Sequence, residues 1–424
     1  MTTCSEDLRW RGLVHQVTDG AVLDALDGEP LTFYVGFDPT ADSLGIGNLL
    51  QLCLVRRLQE AGHRPLLVAG GGTGTIGDPG GKPDERSVLP PDRLAANLAG
   101  IAGQLARFAD FGAGALLLDN GEWLRPLRLL DFLRDVGKLV TVNTMMARDS
   151  VRARLDAREH GISYAEFSYM LLQAYDFLHL FDAHGCALQI GGSDQWGNIV
   201  TGVDLIRRVR DAPAYGLTTP LVLREDGSKF GKSERGNLWL DRARTSPYQL
   251  FQAFLRVDDA VVDTYLRYFT WLDRDTIEDL DRATGERPEQ RAAQRALARE
   301  VVGLVHGPPE AAAAERAAAA LFSADLADLD EPTLLEVLAE APSSTVARAE
   351  LAGGGVSLVE ALAGAGLTPS RSAARTAVAQ GGAYVNNRRQ LGADARLTSA
   401  DLLHDRYIVL RRGKRDHHLL RAEP

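Results

Sequence analysis

Along the first half of the chain, short apolar runs alternate with stretches whose apolar residues recur at helical spacing. That pattern predicts a parallel sheet covered by helices. Residues 31–37, 64–69, 115–118, 187–190 and 217–223 read as strands, and residues 46–61 as a helix ending at Gly62. The order of elements is that of a Rossmann-like nucleotide fold. Between the third and fourth strands lies a mostly helical insertion, roughly 120–186, too long for a plain crossover. After Asp241 helices follow one another without strands, through the Ala-rich stretch 311–320, with Pro332 and Pro342 as interruptions. A Gly-rich break at 350–355 precedes two short helices, 358–363 and 371–379, and two strands, 383–386 and 407–410. The expected division is a catalytic domain over 1–224, a helical domain over 225–345 and a small α+β domain over 353–424.

Composition sharpens this picture in two places. With 424 residues, 45% hydrophobic and 25% charged, the chain has room for two or three domains. No apolar run reaches the ~18 to 20 residues of a membrane span, and the polar start lacks a signal-peptide pattern, so a cytoplasmic protein away from membranes is expected. Cys4, Cys53 and Cys186 are far apart and form no metal-type pair, which fits a reducing compartment and no structural zinc. The net charge of −10 argues against a generic nucleic-acid binder, yet from Gly353 onward eleven Lys/Arg face six Asp/Glu. A basic terminal module is the footprint of a phosphate-rich partner; a merely solvated surface is the alternative.

Three motifs carry candidate chemistry. Gly72-Thr73-Gly74-Thr75-Ile76-Gly77 matches the dinucleotide fingerprint and makes an NAD-dependent dehydrogenase a rival. Its glycines do not open a helix, however, and Asp78 is poorly placed beside a pyrophosphate. A P-loop also fails, because Gly77 to Lys82 is one residue short and Pro83 stands where Ser or Thr must be. Tyr169, Gln173 and Asp176 fall at i, i+4 and i+7 on one helical face, either as core packing or as polar groups awaiting a ligand. Nearby, Gln189-Ile190-Gly191-Gly192-Ser193-Asp194-Gln195 ends a strand in two glycines, with Asp194 as a candidate ribose acceptor. Last, Asp226-Gly227-Ser228-Lys229-Phe230-Gly231-Lys232-Ser233 is either an exposed turn or a lysine loop that reaches transferring phosphates.

Together with Tyr34-Val35-Gly36-Phe37-Asp38 and Gly45-Ile46-Gly47-Asn48, these blocks resemble the bacterial tyrosyl-tRNA synthetases, a class I aminoacyl-tRNA synthetase family. Further blocks, 70–86, 136–149, 381–387 and 406–413, extend the resemblance over essentially the whole chain. It implies a homodimer that activates tyrosine with ATP and esterifies the 3′ end of tRNA(Tyr), with an alpha-L RNA-binding fold at the C-terminus. Tyr34 and Asp176 would hold the tyrosine hydroxyl, and Asp78, Tyr169 and Gln173 the ammonium, with Thr73 and Gln195 nearby. Gly36, Asp38, Gly47, Gly192 and Asp194 would face the adenosine. Lys82 and Arg86 would approach the phosphates or the tRNA acceptor end, Lys229 and Lys232 would clamp the pyrophosphate, and Arg371, Arg375, Arg388, Arg411, Arg412 and Lys414 would meet RNA. Mg²⁺ would arrive on ATP; neither zinc nor NAD is implied.

The chain departs from the family where its signature reads His-Ile-Gly-His. Gly45 replaces the first histidine, and losing one phosphate donor typically costs on the order of 10² to 10³ in rate. Asn48 replaces the second and still offers an amide donor. The expectation is a working ligase; the alternative is a weakened paralogue that binds tyrosine, adenylate or tRNA as a regulator, resistance isoform or tyrosyl donor.

Overall fold

The apolar runs of the first half form a single sheet. A computed structural model describes residues 2–78, 89–148, 151–152, 161–233, 236–320, 325–339, 341–413 and 416–423. The chain falls into two units, one of residues 1–246 and 254–301, the other of 247–253 and 302–424.

In the first unit the strands are β1 (Gln16–Val17), β2 (Thr32–Phe37), β3 (Arg64–Ala69), β4 (Leu116–Asp119), β5 (Cys186–Gly192) and β6 (Tyr215–Thr219). They lie in the order β1-β6-β5-β2-β3-β4. All neighbours from β6 to β4 are parallel, and only the edge strand β1 runs antiparallel. β3 is buried from Pro65 to Ala69, as a strand covered on both faces must be, which is why it reads as an unbroken apolar run. The chain runs outward from β2 through β3 to β4, then returns to the other side of β2 for β5 and β6. The order therefore reverses between β2 and β5, and a crevice opens beyond their C-terminal ends.

Two expectations change here. The apolar run places the last strand at 217–223, but β6 begins at Tyr215 and stops at Thr219, because Pro220 has no N–H to continue the ladder. β1 was not expected, since two residues carry no readable periodicity. The helix after β2 is Ile46–Glu60, with Gly45 as its N-cap. In the 120–186 insertion the main element is the helix Tyr164–His184, started by the Ser163 hydroxyl and ended by Gly185 at φ 64°.

Within the first unit, two guanidinium groups tie the end of the helix Asp259–Phe269 to the helices Cys4–Trp10 and Ile46–Glu60. Arg11 donates to the carbonyls of Arg267, Thr270 and Leu272 at 3.2, 3.1 and 3.0 Å. Arg57, 8% exposed, donates to the Thr270 carbonyl and lies 4.2 Å from the Trp271 ring centroid. These carbonyls belong to the helix end, where backbone acceptors have no partner within the helix. Burial lowers the Arg57 pKa to about 10. Arg57→Ala is expected to cost about 2 to 3 kcal/mol in urea unfolding. Arg56→Ala, on the half-buried neighbour that only stacks on Trp271 at 4.8 Å and pairs with Glu60, should cost less, about 0.5 kcal/mol; equal losses at both positions would remove Arg57 from the clamp.

The first unit also carries a two-stranded ribbon of β7 (Lys232–Ser233) and β8 (Gly236–Asn237). The second unit is built on strands β9 (Ser343–Ala347), β11 (Ala383–Val385), β12 (Arg388–Gln390), β14 (Tyr407–Arg412) and β15 (Asp416–Glu423), in the order β12-β11-β14-β15-β9, with a separate pair of β10 (Val356–Ser357) and β13 (Arg396–Leu397). Alternate residues of β14 feed two cores. Ile408 and Leu410 pack with Leu358, Leu362, Ala374 and Val378, while Tyr407 and Val409 pack with Ala317, Leu334 and Val337. A strand covered on both sides needs apolar residues at every position, which explains the unbroken run Tyr407-Ile408-Val409-Leu410. β9 precedes the expected Gly-rich break and pairs in parallel with β15, and Glu350 belongs to a short helix, Arg348–Ala352.

Candidate functional site

The crevice beyond β2 and β5 holds a cavity of ≈ 420 Å³, within the size range of small-ligand sites. Tyr34, Gly36, Asp38, Gly47, Asn48, Thr73, Asp78, Tyr169, Gln173, Asp176, Gly192, Asp194, Gln195 and Lys229 all line it. The strands and helices thus bring together residues that are up to 195 positions apart in the chain (34 to 229). Lys82, Arg86 and Lys414 lie outside the described residues, and for Lys232 only the backbone is described.

At one end of the cavity, hydrogen bonds run from carboxylate to carboxylate. Tyr169 Oη donates to Asp38 Oδ2 at 2.9 Å and Thr73 Oγ1 to Asp38 Oδ1 at 2.9 Å. Asn120 Nδ2 donates to both Thr73 Oγ1 and Asp176 Oδ2 at 2.9 Å, and Trp123 Nε1 donates to Asp176 Oδ1 at 2.7 Å. A second cluster joins Gln195 Nε2 to Asp78 Oδ2 at 2.6 Å, Gln173 Nε2 to Gln195 Oε1 at 3.2 Å, and Asn198 Nδ2 to Gln173 Oε1 at 2.9 Å. Tyr34 is buried against Phe177, with ring centroids 5.3 Å apart, and its hydroxyl donates to the Gln173 carbonyl at 3.4 Å.

Burial pushes the Asp176 carboxyl up to about 7, the donors Asn120 and Trp123 pull it back, and the charge of Asp38 adds to the rise. Burial also raises Tyr34 and Tyr169, followed by the charge of Asp176 for the first and of Asp38 and Asp78 for the second. Four carboxyl groups around one cavity, Asp38, Asp78, Asp176 and Asp194, favour a cationic group, and a buried carboxyl beside a tyrosine hydroxyl suits a hydroxyl on the ligand.

Asn120, Trp123 and Asn198 were missed from the sequence. The signal for the first was faint: Asp119-Asn120 ends an apolar strand, where polar residues face a crevice. Asp38, expected beside adenosine, is bonded to Tyr169 and Thr73, at the carboxylate-rich end.

The other end is formed by the start of the helix Ile46–Glu60 and by the lysine loop. The loop is a small hairpin: the Phe230 N–H donates to the Val222 carbonyl at 2.9 Å, and Arg224 N–H to Ser228 O at 2.8 Å. Gly231, at φ +87°, sits so close to the helix that a Cβ there would fall 1.9 Å from Ile46 Cγ2. Lys229 is thereby held beside the helix start, with Nζ 3.8 Å from Asp194 Oδ2. Asn48 Oδ1 accepts the Gly45 N–H at 3.2 Å, which leaves its amide NH₂ as the donating end. Gly72 to Gly77 opens no helix; Thr73–Thr75 is a single 3-10 turn, so the phosphate-binding geometry of a dehydrogenase is not formed there.

Residues 26–323 match the family of class I tRNA synthetases (W and Y), and residues 337–420 match the C-terminal domain of tyrosine–tRNA ligases. The chain is 53% identical over 424 residues to a tyrosine–tRNA ligase of Roseiflexus castenholzii, covering 99% of this chain and 100% of that one. The chain belongs to the tyrosyl-tRNA synthetases. Another tyrosine–tRNA ligase, from Bacillus caldotenax, is 49% identical over 420 residues, 98% of each chain. Among solved structures, a C-terminally truncated mitochondrial tyrosyl-tRNA synthetase from Aspergillus nidulans aligns with TM-score 0.68 at 32% identity, over 76% of this chain and 95% of that one. Tyrosine–tRNA ligase activity accounts for the chain as a class I synthetase, and a dehydrogenase does not.

In this synthetase the C-terminal arginines are not equivalent. Arg371, Arg375 and Arg388 are exposed, and Arg371 pairs with Glu360 at 3.2 Å. Arg412 donates to the Leu367 carbonyl. Arg411, expected to meet RNA, is 7% exposed. It donates to Asn387 Oδ1 at 2.9 Å and Gly413 O at 2.6 Å and stacks 3.7 Å from the Tyr384 ring centroid. Its sequence context, a basic pair at a strand end, gave no sign that one member turns inward.

Proposed function

We propose that Tyr34 and Asp176 hold the phenolic hydroxyl of tyrosine, and that Asp78, Tyr169 and Gln173 hold its ammonium, supported by Thr73 and Gln195. The observation that carries this reading is Asp176, a buried carboxylate fixed by Asn120 and Trp123 with Tyr34 close by. ATP, with its Mg²⁺ as part of the substrate, lies along Gly36, Gly47, Gly192 and Asp194 toward Asn48 and Lys229. Asp38 stands between the two substrates. The tyrosine carboxylate attacks the α-phosphorus in line, a C–O–P bond forms, and the bond to the bridging oxygen of pyrophosphate breaks. No general base is needed, because the nucleophile is already an anion. Charge building on the phosphates is met by Lys229, Lys232, Lys82 and Arg86, by the Asn48 amide and by the N-terminus of the Ile46–Glu60 helix.

In the second step a ribose hydroxyl at the tRNA 3′ end attacks the carbonyl of the mixed anhydride, and AMP leaves. Arg371, Arg375, Arg388, Arg412 and Lys414 offer the basic surface for tRNA, together with the helical segment after residue 225. Cytoplasmic location is supported by three free cysteines. Among the described residues no helix is long and apolar enough to cross a membrane. Gly45 supports a second reading, a weakened tyrosine- or tRNA-binding paralogue.

Tyrosine-dependent exchange of pyrophosphate into ATP separates the two readings. Exchange above a blank without tyrosine is expected, and its absence would leave only the binding paralogue.

A homodimer is supported by the apolar residues that the insertion leaves exposed, including Leu129 (69%), Leu130 (77%), Val142 (57%) and Tyr164 (71%). Leu130→Asp is expected to shift the protein from dimer to monomer in sedimentation at micromolar concentration. A parent that sediments as a monomer would remove the proposal.

A further inference from the structure

The helix Pro91–Leu105 belongs to none of the motifs above, yet one of its faces is committed to the loop that leads into Gly45. Asn97, Gly100 and Gln104 share that face at i, i+3 and i+7. Asn97 Nδ2 donates to the Pro39 carbonyl at 2.9 Å. At Gly100 a Cβ would fall 2.2 Å from the Asp42 carbonyl oxygen, so a larger residue would displace the loop. Gln104 is 6% exposed. Its Oε1 accepts the Leu44 N–H at 2.8 Å, and its Nε2 donates to Ser43 Oγ at 3.1 Å.

Ser43 carries the connection onward. Its hydroxyl accepts the Asp241 N–H at 3.2 Å and donates to the Leu44 carbonyl at 3.0 Å. With the bond from Gln104, its one donor and both acceptor positions are used. Beside it, Leu240 N–H donates to Leu44 O and Ile46 N–H to Leu238 O, both at 2.9 Å. Leu238 N–H in turn donates to Gly231 O at 2.9 Å, next to the lysine hairpin. Three segments therefore meet at a buried amide and a hydroxyl: the Pro91–Leu105 helix, the loop before Gly45, and the strand-like stretch 238–241 that returns from the lysine loop.

We propose that Gln104 is a positioning residue for adenylate formation, acting through Ser43. It fixes the register between the start of the Ile46–Glu60 helix and the stretch behind Lys229, and so the distance between two sources of positive potential that must converge on the same phosphates. Such groups stabilise a transition state only when held in place beforehand, and misplacement of about 1 Å costs as much as 10² in rate. The need is greater in this chain because Gly45 brings no side chain to the phosphates. A buried, fully satisfied amide is a stiff support for this task, since any movement of the loop leaves polar groups unpaired. The proposal rests on placing the ATP phosphates at the end of the cavity formed by Gly45, Asn48 and Lys229.

The test uses the full-length protein and its Gln104→Met and Ser43→Ala variants, with two readouts. Pyrophosphate exchange gives kcat and the KM for ATP, and equilibrium dialysis without ATP gives the Kd for tyrosine. Gln104→Met, which keeps the volume and removes both hydrogen bonds, is expected to lower kcat about tenfold or more while the tyrosine Kd stays within about twofold. Ser43→Ala, which keeps the bond from the Leu44 N–H to Gln104 Oε1, should lower kcat about threefold, again with unchanged tyrosine affinity. Unchanged kcat in both variants, or parallel losses of kcat and tyrosine affinity, would overturn the positioning role. If Gln104→Met does not fold, Ser43→Ala decides by the same criteria. A parent without tyrosine-dependent exchange refutes the phosphate placement itself, and the proposal with it; an active parent with equally active variants refutes the positioning role alone.

Discussion

Replacing Asp176 by Ala should reduce the preference for tyrosine over phenylalanine by at least about 100-fold in kcat/KM for pyrophosphate exchange. A site built to pair a substrate hydroxyl rejects the analogue that lacks it by leaving buried polar groups unpaired. Tyrosyl-tRNA synthetases are themselves the reference case, at about 10⁵-fold. In this chain the group left unpaired is a carboxylate only 3% exposed, held by Asn120 and Trp123 and therefore unable to turn toward solvent. Without it the pocket keeps its apolar lining, Val68 and Ile190 among it, so phenylalanine gains relative to tyrosine. A ratio within threefold of the parent's would remove Asp176 from the hydroxyl site.

Asp176 also makes stability depend on pH, with a definite sign. Its carboxyl is raised from 3.8 to about 7 in the folded protein, so the folded state holds the proton more tightly than the unfolded one. The stability this contributes is full below about pH 4 and is lost as pH rises toward 7. Asp176→Asn removes that dependence. The variant should therefore gain on the parent by on the order of 3 kcal/mol between pH 5 and pH 8 in urea unfolding without tyrosine. A constant difference across that range would mean that Asp176 is not raised.

The readable part of the site consists of residues at strand ends and on one helical face. Tyr34, Asp38 and Gly192 follow or end apolar runs, and Tyr169, Gln173 and Asp176 declare themselves by spacing. Asn120 and Trp123 did not, because their role is set by Asp176, 56 and 53 residues away, and nothing local marks a donor for a distant acceptor. Arg411 shows the reverse failure. Its charge is local information, but the Tyr384 ring and the Asn387 amide that enclose it come from another strand and from the turn that follows it. Short polar strands such as Ser343–Ala347 were unreadable for the same reason, since their only warrant is the partner β15. Gln104 lies in a helix that no motif of the sequence marks, and only the approach of the Pro39–Leu44 loop reveals what one of its faces holds.

Substituting Gly45 by His should raise kcat for pyrophosphate exchange by on the order of 10²-fold, while the tyrosine Kd stays within about twofold. The backbone accepts the change. Gly45 lies at φ −90° and ψ 168°, an extended conformation open to any residue, and a Cβ there would stand 3.5 Å from the Leu238 carbonyl oxygen, an ordinary contact. The N-cap bond is also kept, because Asn48 Oδ1 accepts from the Gly45 backbone N–H and not from a side chain. Replacing Gly at an N-cap costs helix stability only modestly, so a change in rate would not reflect unfolding. An imidazole at this point would stand at the mouth of the Ile46–Glu60 helix, where the dipole already favours anions, and would add a donor that strengthens as charge moves onto the leaving pyrophosphate. Because the donor serves the transition state more than bound ATP, the gain should fall in kcat, with the KM for ATP changed less. Loss of the Asn48 amide in Asn48→Ala tests the same geometry from the other side and should lower kcat by at least about tenfold. If neither change moves kcat, the phosphates do not lie against this helix start. If Asn48→Ala is damaging and Gly45→His brings nothing, another group already supplies the donor that the glycine lacks.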